Sequence, residues 1–315
     1  MNMMSAVRIH SYGDPGVLTL EQAPRPTAGA GEVLIRVHAT AINPFDAAVR
    51  AGFMVDYFNH QLPLILGTDA AGVVEEVGPG VEGFSPGDEV FARGGVSRDG
   101  SYAEFVAVAA DDVALKPRSL DFVHAATIPH VTLTAWQALY EAAGLTEGQT
   151  ALIHGAAGGV GHVAVQLAKL RGARVIGTGS TNVDFLDELG VDQIVDYSTS
   201  RFEDVIEEGS VDVVLDTVGD DSQERSWSLL KPGGMLVSAV RPPSEEAALA
   251  HGVRQHMVYS VPPIGPTLTE VASLVDTGKL VPEVSKILPL SEMKTGHELI
   301  ETRHTRGKIG VQVTG

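Results

Sequence analysis

The run Ile153-His154-Gly155-Ala156-Ala157-Gly158-Gly159-Val160-Gly161 limits what this chain can fold into more than any other segment. It follows a short apolar stretch of β-forming residues (150–154, TALIH) and precedes an alanine- and leucine-rich stretch at helical spacing (161–171). Against the G-x-G-x-x-G template, Ala156 replaces the first glycine, while Gly158 and Gly161 match. Between a strand and a helix, such a cluster lets the backbone approach a pyrophosphate, whose charge the free amides of the helix start favour. A tight turn with no ligand has the same local sequence, so the context must decide. The alternation continues with a strand at 174–178 (RVIGT), a helix at 182–189, a strand at 193–195, and buried strands at 211–216 (VDVVLD) and 234–239 (GMLVSA). That pattern predicts βαβ units, a parallel sheet with right-handed crossovers, and nucleotide binding at the cluster.

The rest of the chain reads differently. Residues 33–38 (VLIRVH) alternate apolar and polar, the sign of a half-buried strand, and further β-rich runs follow at 70–77, 89–93 and 103–108. Turns bearing glycine and proline separate them, as in Ser85-Pro86-Gly87-Asp88. Helical spacing begins near Leu120, and after about Pro262 one helix (268–277) precedes a β-like segment at 308–313. The expected fold class is therefore α/β: a β-rich domain from residues 1–119 and 262–315, and a doubly wound parallel-sheet domain from 120–261.

Composition narrows the function classes. The 315 residues carry 22 basic and 40 acidic side chains, a net charge of −18, so neither nucleic acid nor an anionic membrane finds the basic face it needs. With no cysteine, disulfides, thiolate metal sites and a thiol nucleophile are excluded. The first residues, MNMMSAVRIHSYGD, lack the apolar core of a secretory signal, and no apolar run approaches the length of about 20 residues that a spanning helix requires. A cytoplasmic location is expected.

Which nucleotide is bound turns on the end of the second strand. NAD-binding versions usually place an acid there to hold the ribose 2′-hydroxyl. Here the strand runs into Gly177-Thr178-Gly179-Ser180-Thr181-Asn182, with no acid before Asp184. The missing carboxylate removes repulsion toward a 2′-phosphate, so NADPH is the expected cofactor. No Lys or Arg sits in this loop; Arg174 and Arg201 are the unplaced candidates for that charge.

Six motifs, in order along nearly the whole chain, resemble the medium-chain dehydrogenase/reductase superfamily in its quinone oxidoreductase branch. They are residues 41–46 (AINPFD), 66–78 (LGTDAAGVVEEVG), 134–139 (TAWQAL), the glycine cluster, 212–219 (DVVLDTVG) and 304–308 (HTRGK). The resemblance implies a GroES-like β-rich catalytic domain plus a Rossmann domain, and a homodimer formed through the edge of the Rossmann sheet. It places Ala157, Gly158, Gly159 and Val160 on the pyrophosphate, with Gly179, Ser180 and Tyr197 bordering the adenosine 2′-phosphate. Thr217 and Val218 follow the fourth strand, and Ser238, Ala239 and Val240 the fifth. Asn43 and Thr134 are expected near the nicotinamide, with Val258, Tyr259 and Ser260 beside its carboxamide. Plainer roles stand beside three of these: Tyr197 as a surface tyrosine, Asn43 as a turn-former before Pro44, Thr134 as a helix-packing residue.

The same resemblance bears on metal. Where zinc alcohol dehydrogenases hold their catalytic ion, this chain has Asn43, Thr68 and His130, and a single imidazole does not make a three-ligand zinc site. Without a Lewis acid, acceptors that are already electron-poor are favoured. The expected activity is hydride transfer from NADPH to a quinone or an α,β-unsaturated carbonyl. Alternatives are an enoyl-thioester or alkenal reductase and a low-turnover NADPH-binding sensor. Many members of the branch carry a tyrosine soon after the Asn-Pro pair, where this chain has Ala47, Ala48 and Val49. Tyr57 and Asn43 are the remaining candidates for a catalytic role.

Overall fold

In the computed structural model, which describes residues 2–259 and 263–313, the chain divides into two units. One comprises Met1–His130, Val261–Gly278 and Pro282–Gly315; the other comprises Val131–Ser260 with Lys279–Val281.

The first unit begins with β1 (Met3–Ile9), β2 (Thr19–Pro24) and the long β3 (Glu32–Ile42), followed by helix α1 (Pro44–Ala51). Next come β4 (Leu64–Ile65), β5 (Asp69–Val77), β6 (Glu89–Arg93), β7 (Phe105–Ala109), β8 (Val113–Leu115) and α2 (Phe122–Ala126). Helix α3 (Pro129–Trp136) then opens the second unit's run: β9 (Thr150–Ile153), α4 (Gly159–Leu170), β10 (Arg174–Gly179), α5 (Val183–Glu188) and β11 (Gln193–Asp196). That run continues through α6 (Phe202–Val205), β12 (Val211–Asp216), α7 (Ser222–Ser226), β13 (Leu230–Ser238), α8 (Glu245–His251) and β14 (Arg254–Met257). Helix α9 (Gly265–Asp276), β15 (Val284–Pro289), α10 (Met293–Glu301) and β16 (Lys308–Gln312) belong again to the first unit.

In the β-rich unit, β3 is the hub of a seven-stranded sheet ordered β15-β16-β3-β5-β6-β8, with β7 also paired to β3. Its apolar residues Val33, Ile35 and Val37 pack with Val74, Val90 and Val106, each buried aliphatic side chain contributing roughly 1.5–3 kcal/mol. The C-terminal strand β16 pairs antiparallel with β3, setting Ile309 against Ile42. A second sheet, β2-β1-β4, completes the unit. Helix α2 lies downstream of the expected boundary at 119/120, yet it packs on β3 and β5, and the units divide after His130. The reason is local: Asp121 caps α2, whose Ala125 and Ala126 are buried.

The second unit is a six-stranded parallel sheet ordered β11-β10-β9-β12-β13-β14. Chain order runs outward in one direction from β9 to β11, then in the other from β12 to β14. The reversal lies between β9 and β12, and in open α/β sheets ligands bind outside the carboxyl ends of the strands at such a point. The core beneath it includes Leu152, Ile176, Val214 and Leu236.

Candidate functional site

The glycine cluster turns the end of β9 into α4. Gly158 caps the helix with extended backbone, and Gly155 takes a left-handed conformation, φ 66°, that favours glycine. Gly161 serves packing: a Cβ there would lie 2.1 Å from the Gly155 carbonyl oxygen, inside any permissible contact. The first turn of α4 thus closes tightly over the loop, with the Gly158 amide bonded to Gly155 O (2.9 Å) and the His162 amide to Gly158 O (3.0 Å).

The other sequence-derived positions of this unit gather at the same edge. Gly179 ends β10 and Ser180 follows it; Tyr197 follows β11; Thr217 and Val218 follow β12. Ser238 ends β13, ahead of Ala239 and Val240, and Val258 and Tyr259 follow β14. Tyr197, Val218, Val240 and Tyr259 are exposed, whereas Thr134, in α3, is buried. Ser260 lies outside the described residues. No carboxylate stands at the end of β10, where Ser180, Thr181 and Asn182 lead into α5. Arg174 starts β10, at the opposite end of the sheet, and bonds Gln193, which removes it from the nucleotide edge. Arg201 pairs with Glu203, a carboxylate that Arg225 also grips with two donors. Arg225, offset by partial burial and joined by Arg201, holds the Glu203 carboxyl down at about 2.

Two buried side chains that the sequence reading missed fix these loops. Asp216 Oδ1 accepts from the amides of Val218 (3.0 Å) and Gly219 (2.9 Å), while Oδ2 accepts from Gln223 Nε2 (2.8 Å) and Ser238 Oγ (3.1 Å). One carboxylate thereby ties the end of β12 to the end of β13. Burial pushes that carboxyl up, but these hydrogen bonds outweigh it and leave the group below its ordinary value. His154 bridges Thr178 Oγ1 (3.3 Å) and Ser226 Oγ (2.9 Å), and burial lowers its pKa to about 4, so it acts as a neutral strut under the turn.

In the β-rich unit, Asn43 ends the strand into α1 as its N-cap, and its amide donates to Asp46 Oδ2 (2.9 Å). Its Nδ2 donates to Thr68 Oγ1 (3.1 Å) and Asp69 Oδ2 (2.9 Å), and its Oδ1 accepts from Lys308 Nζ. Asn43 is 0% exposed, so no polar atom of its side chain is left to face a reacting group. Lys308 Nζ also donates to Ile42 O (3.1 Å) and stands 3.7 Å from Asp69 Oδ2. Asp69 Oδ1 accepts the His130 amide at 2.7 Å. Tyr102 Oη donates to Asp46 Oδ2 (3.2 Å) and meets His297 Nε2 at 3.2 Å. Burial, and then the Asp69 charge, push the Asp46 carboxyl up to about 6. Burial likewise raises Asp69 against the pull of Lys308, lowers Lys308 against the pull of Asp69, and holds His130 well below the usual imidazole range. Tyr57 is not brought to this cluster: it lies in the turns after α1, 75% exposed.

These residues do not fit a zinc ion. Asn43 and Thr68 bond to each other, and the ammonium of Lys308 already sits against Asn43 and Asp69 as the local cation. Among the described residues, no three His, Cys, Asp or Glu side chains gather where they could hold a metal.

A model of the alcohol dehydrogenase GroES-like domain matches residues 29–118, and one of a zinc-binding dehydrogenase matches residues 189–311. The chain is 31% identical over 326 residues to a quinone oxidoreductase of Sus scrofa, spanning 99% of this chain and 97% of that one. It belongs to the medium-chain dehydrogenase/reductase family, in its quinone oxidoreductase branch. The mitochondrial NAD(P)H oxidoreductase RTN4IP1 of Mus musculus is another relative of this family member, 34% identical over 323 residues, with 90% of this chain and 82% of that one covered. A solved quinone oxidoreductase from Coxiella burnetii superposes on the family member with a TM-score of 0.92 at 37% identity, covering 99% of this chain and 100% of that structure. The protein is thus an oxidoreductase of the quinone oxidoreductase type that takes a nicotinamide cofactor. No helix among the described residues is long and apolar enough to cross a membrane.

Proposed function

We propose that the chain is an NADPH-dependent cytoplasmic reductase that delivers hydride to a quinone or an α,β-unsaturated carbonyl without a metal. The observation that carries the cofactor choice is the end of β10, where Ser180, Thr181 and Asn182 offer hydroxyl and amide groups and no carboxylate repels a 2′-phosphate. Bound NADPH supplies the hydride. The loop 157–160 takes the pyrophosphate at the start of α4, where the Gly158 amide is already bonded to Gly155 O and the amides that follow it are the ones offered, and Ser180 with Tyr197 borders the 2′-phosphate. Asp216 and His154 hold the loops after β9, β12 and β13 in place, so their ligand-facing backbone is set before the cofactor arrives. With hydride and one proton from water, a quinone becomes a hydroquinone and an enone a saturated ketone.

The zinc-free part of the proposal rests on the Lys308 ammonium and on the donor set around it. Acceptors that need no Lewis acid follow from it. The outer edge of β14 is the surface through which a homodimer would form. The direct test is NADPH absorbance loss with menadione, an enal and an enoyl thioester, run with and without chelator. Turnover that chelator abolishes and Zn²⁺ restores would contradict the metal-free mechanism, and no turnover with any acceptor would contradict the reductase.

A further inference from the structure

Arg93 ends β6 directly across the sheet from Asp69 on β5, so the two side chains project from the same face. It is 9% exposed, and its Nε donates to His130 Nδ1 at 3.4 Å. The nearby carboxylates are already engaged. Asp69 is bonded by Asn43, the His130 amide and Lys308; Asp46 by Asn43 and Tyr102; Asp112 by the Ile264 amide. They give Arg93 an attractive field, yet among the described residues its Nη atoms make no hydrogen bond. Of the other buried cations of this unit, Lys308 donates to Ile42 O and Asn43, and Arg50 donates to Gly13 O and Glu301 although its Nη1 finds no partner. A guanidinium this deeply buried is costly unless something supplies acceptors to its fork, whose paired N–H groups match the two oxygens of a carboxylate.

The surroundings indicate what that carboxylate is attached to. The His130 ring centroid lies 6.1 Å from that of Phe45, which meets Phe58 edge-on at 6.0 Å, and Phe58 lies 5.7 Å from His60. Two phenyl rings thus stand between two imidazoles, with a cation at one end of the row. Building on the reductase reading above, we propose that Arg93 anchors a carboxylate on the electron-poor acceptor, so that the preferred substrate is an unsaturated acid with a planar apolar body.

The test compares trans-benzoylacrylate with its neutral methyl ester, using NADPH, on wild type, Arg93→Met and Arg93→Lys. The acid-to-ester ratio of kcat/KM should fall about a hundredfold in Arg93→Met, mainly through KM, and about tenfold in Arg93→Lys, which keeps the charge but loses the fork. If Arg93→Met does not fold, Arg93→Lys still decides, because the saturated acid benzoylpropionate should inhibit it about tenfold less well than it inhibits wild type. An unchanged ratio and unchanged inhibition overturn the proposal. So does an unchanged ratio with weakened NADPH binding by fluorescence titration, which would give the anion to the cofactor. Wild type that reduces menadione but shows no preference for the acid defeats this proposal alone; wild type that reduces none of the three compounds defeats the reductase reading beneath it.

Discussion

At the carboxyl edge of the parallel sheet, the candidate binding groups are loop amides and hydroxyls a residue or two beyond each strand. In the β-rich unit, by contrast, Asn43, Asp46, Asp69, Tyr102, His297 and Lys308 meet inside the core. The first arrangement uses backbone, and its few side-chain supports, Asp216 and His154, lie behind the loops. The second is built mainly from side chains that supply one another's charge and hydrogen bonds, helped by the amides of Asn43 and His130 and the carbonyl of Ile42. A surface of backbone tolerates the loss of one side chain; an interior of mutually dependent charges does not.

Removing Lys308 should give the largest effect. Lys308→Met leaves Asp69 buried without its cation and should cost about 3–5 kcal/mol in urea unfolding, with part recovered in the Lys308→Met/Asp69→Asn double variant. A loss below about 1 kcal/mol would show that the cluster is not the mutually dependent set described here.

The next effect depends on pH. Asp46 has a folded pKa of about 6, above its ordinary 3.8, so the protonated carboxyl favours the fold. That contribution is full below about pH 4 and is lost as pH rises through about 6, a swing of roughly 3 kcal/mol. Asp46→Asn, which is neutral throughout, should therefore gain on wild type between pH 4.5 and 7.5 in the same unfolding assay. Parallel stability curves for the two proteins would place the titration elsewhere.

At the nucleotide edge, wild type should prefer NADPH by on the order of tenfold to a hundredfold in kcat/KM, or about 1.4–3 kcal/mol, because donors replace the missing acid but Arg201 is held by Glu203. Ser180→Asp should reverse that preference; equal use of both cofactors by wild type would misplace the 2′-phosphate. The smallest effect is expected at Gly158, where an added Cβ would meet the Gly155 carbonyl oxygen at 3.2 Å. Gly158→Val should weaken NADPH binding about tenfold, or 1.4 kcal/mol, with the unfolding midpoint held. Unchanged affinity by titration would reduce the cluster to a turn.

The same contrast explains what was legible in the sequence. The parallel strands announce themselves as short β-branched runs between helices, and β6 and β12 stand where residues 89–93 and 211–216 predict them. The glycine cluster is readable because its chemistry lies within nine consecutive residues. Short or edge strands such as β1, β4, β14 and β15 are not legible in the sequence, since two to seven residues carry little periodicity. Lys308 was read only as part of a motif, and nothing near it in sequence marks it as buried; its partner Asn43 lies 265 residues away. Arg93 closes a run of apolar strand residues, and its unmatched fork emerges only when β5 and β6 are paired.

The pairing of β16 with β3 has a consequence for how the chain is made. Residues 131–260 emerge from the ribosome as one uninterrupted stretch, so the parallel sheet holds nearly all its parts early. The β-rich sheet stays unfinished until Lys308 arrives, and at about 5–20 residues per second the interval after Asn43 lasts roughly 13–53 seconds. Through that interval β3 lacks one partner strand, and the carboxylates behind it lack their ammonium. A nascent chain stalled before residue 308 therefore carries an open, charge-unbalanced sheet edge in its β-rich unit, which is the form a chaperone or protease would meet.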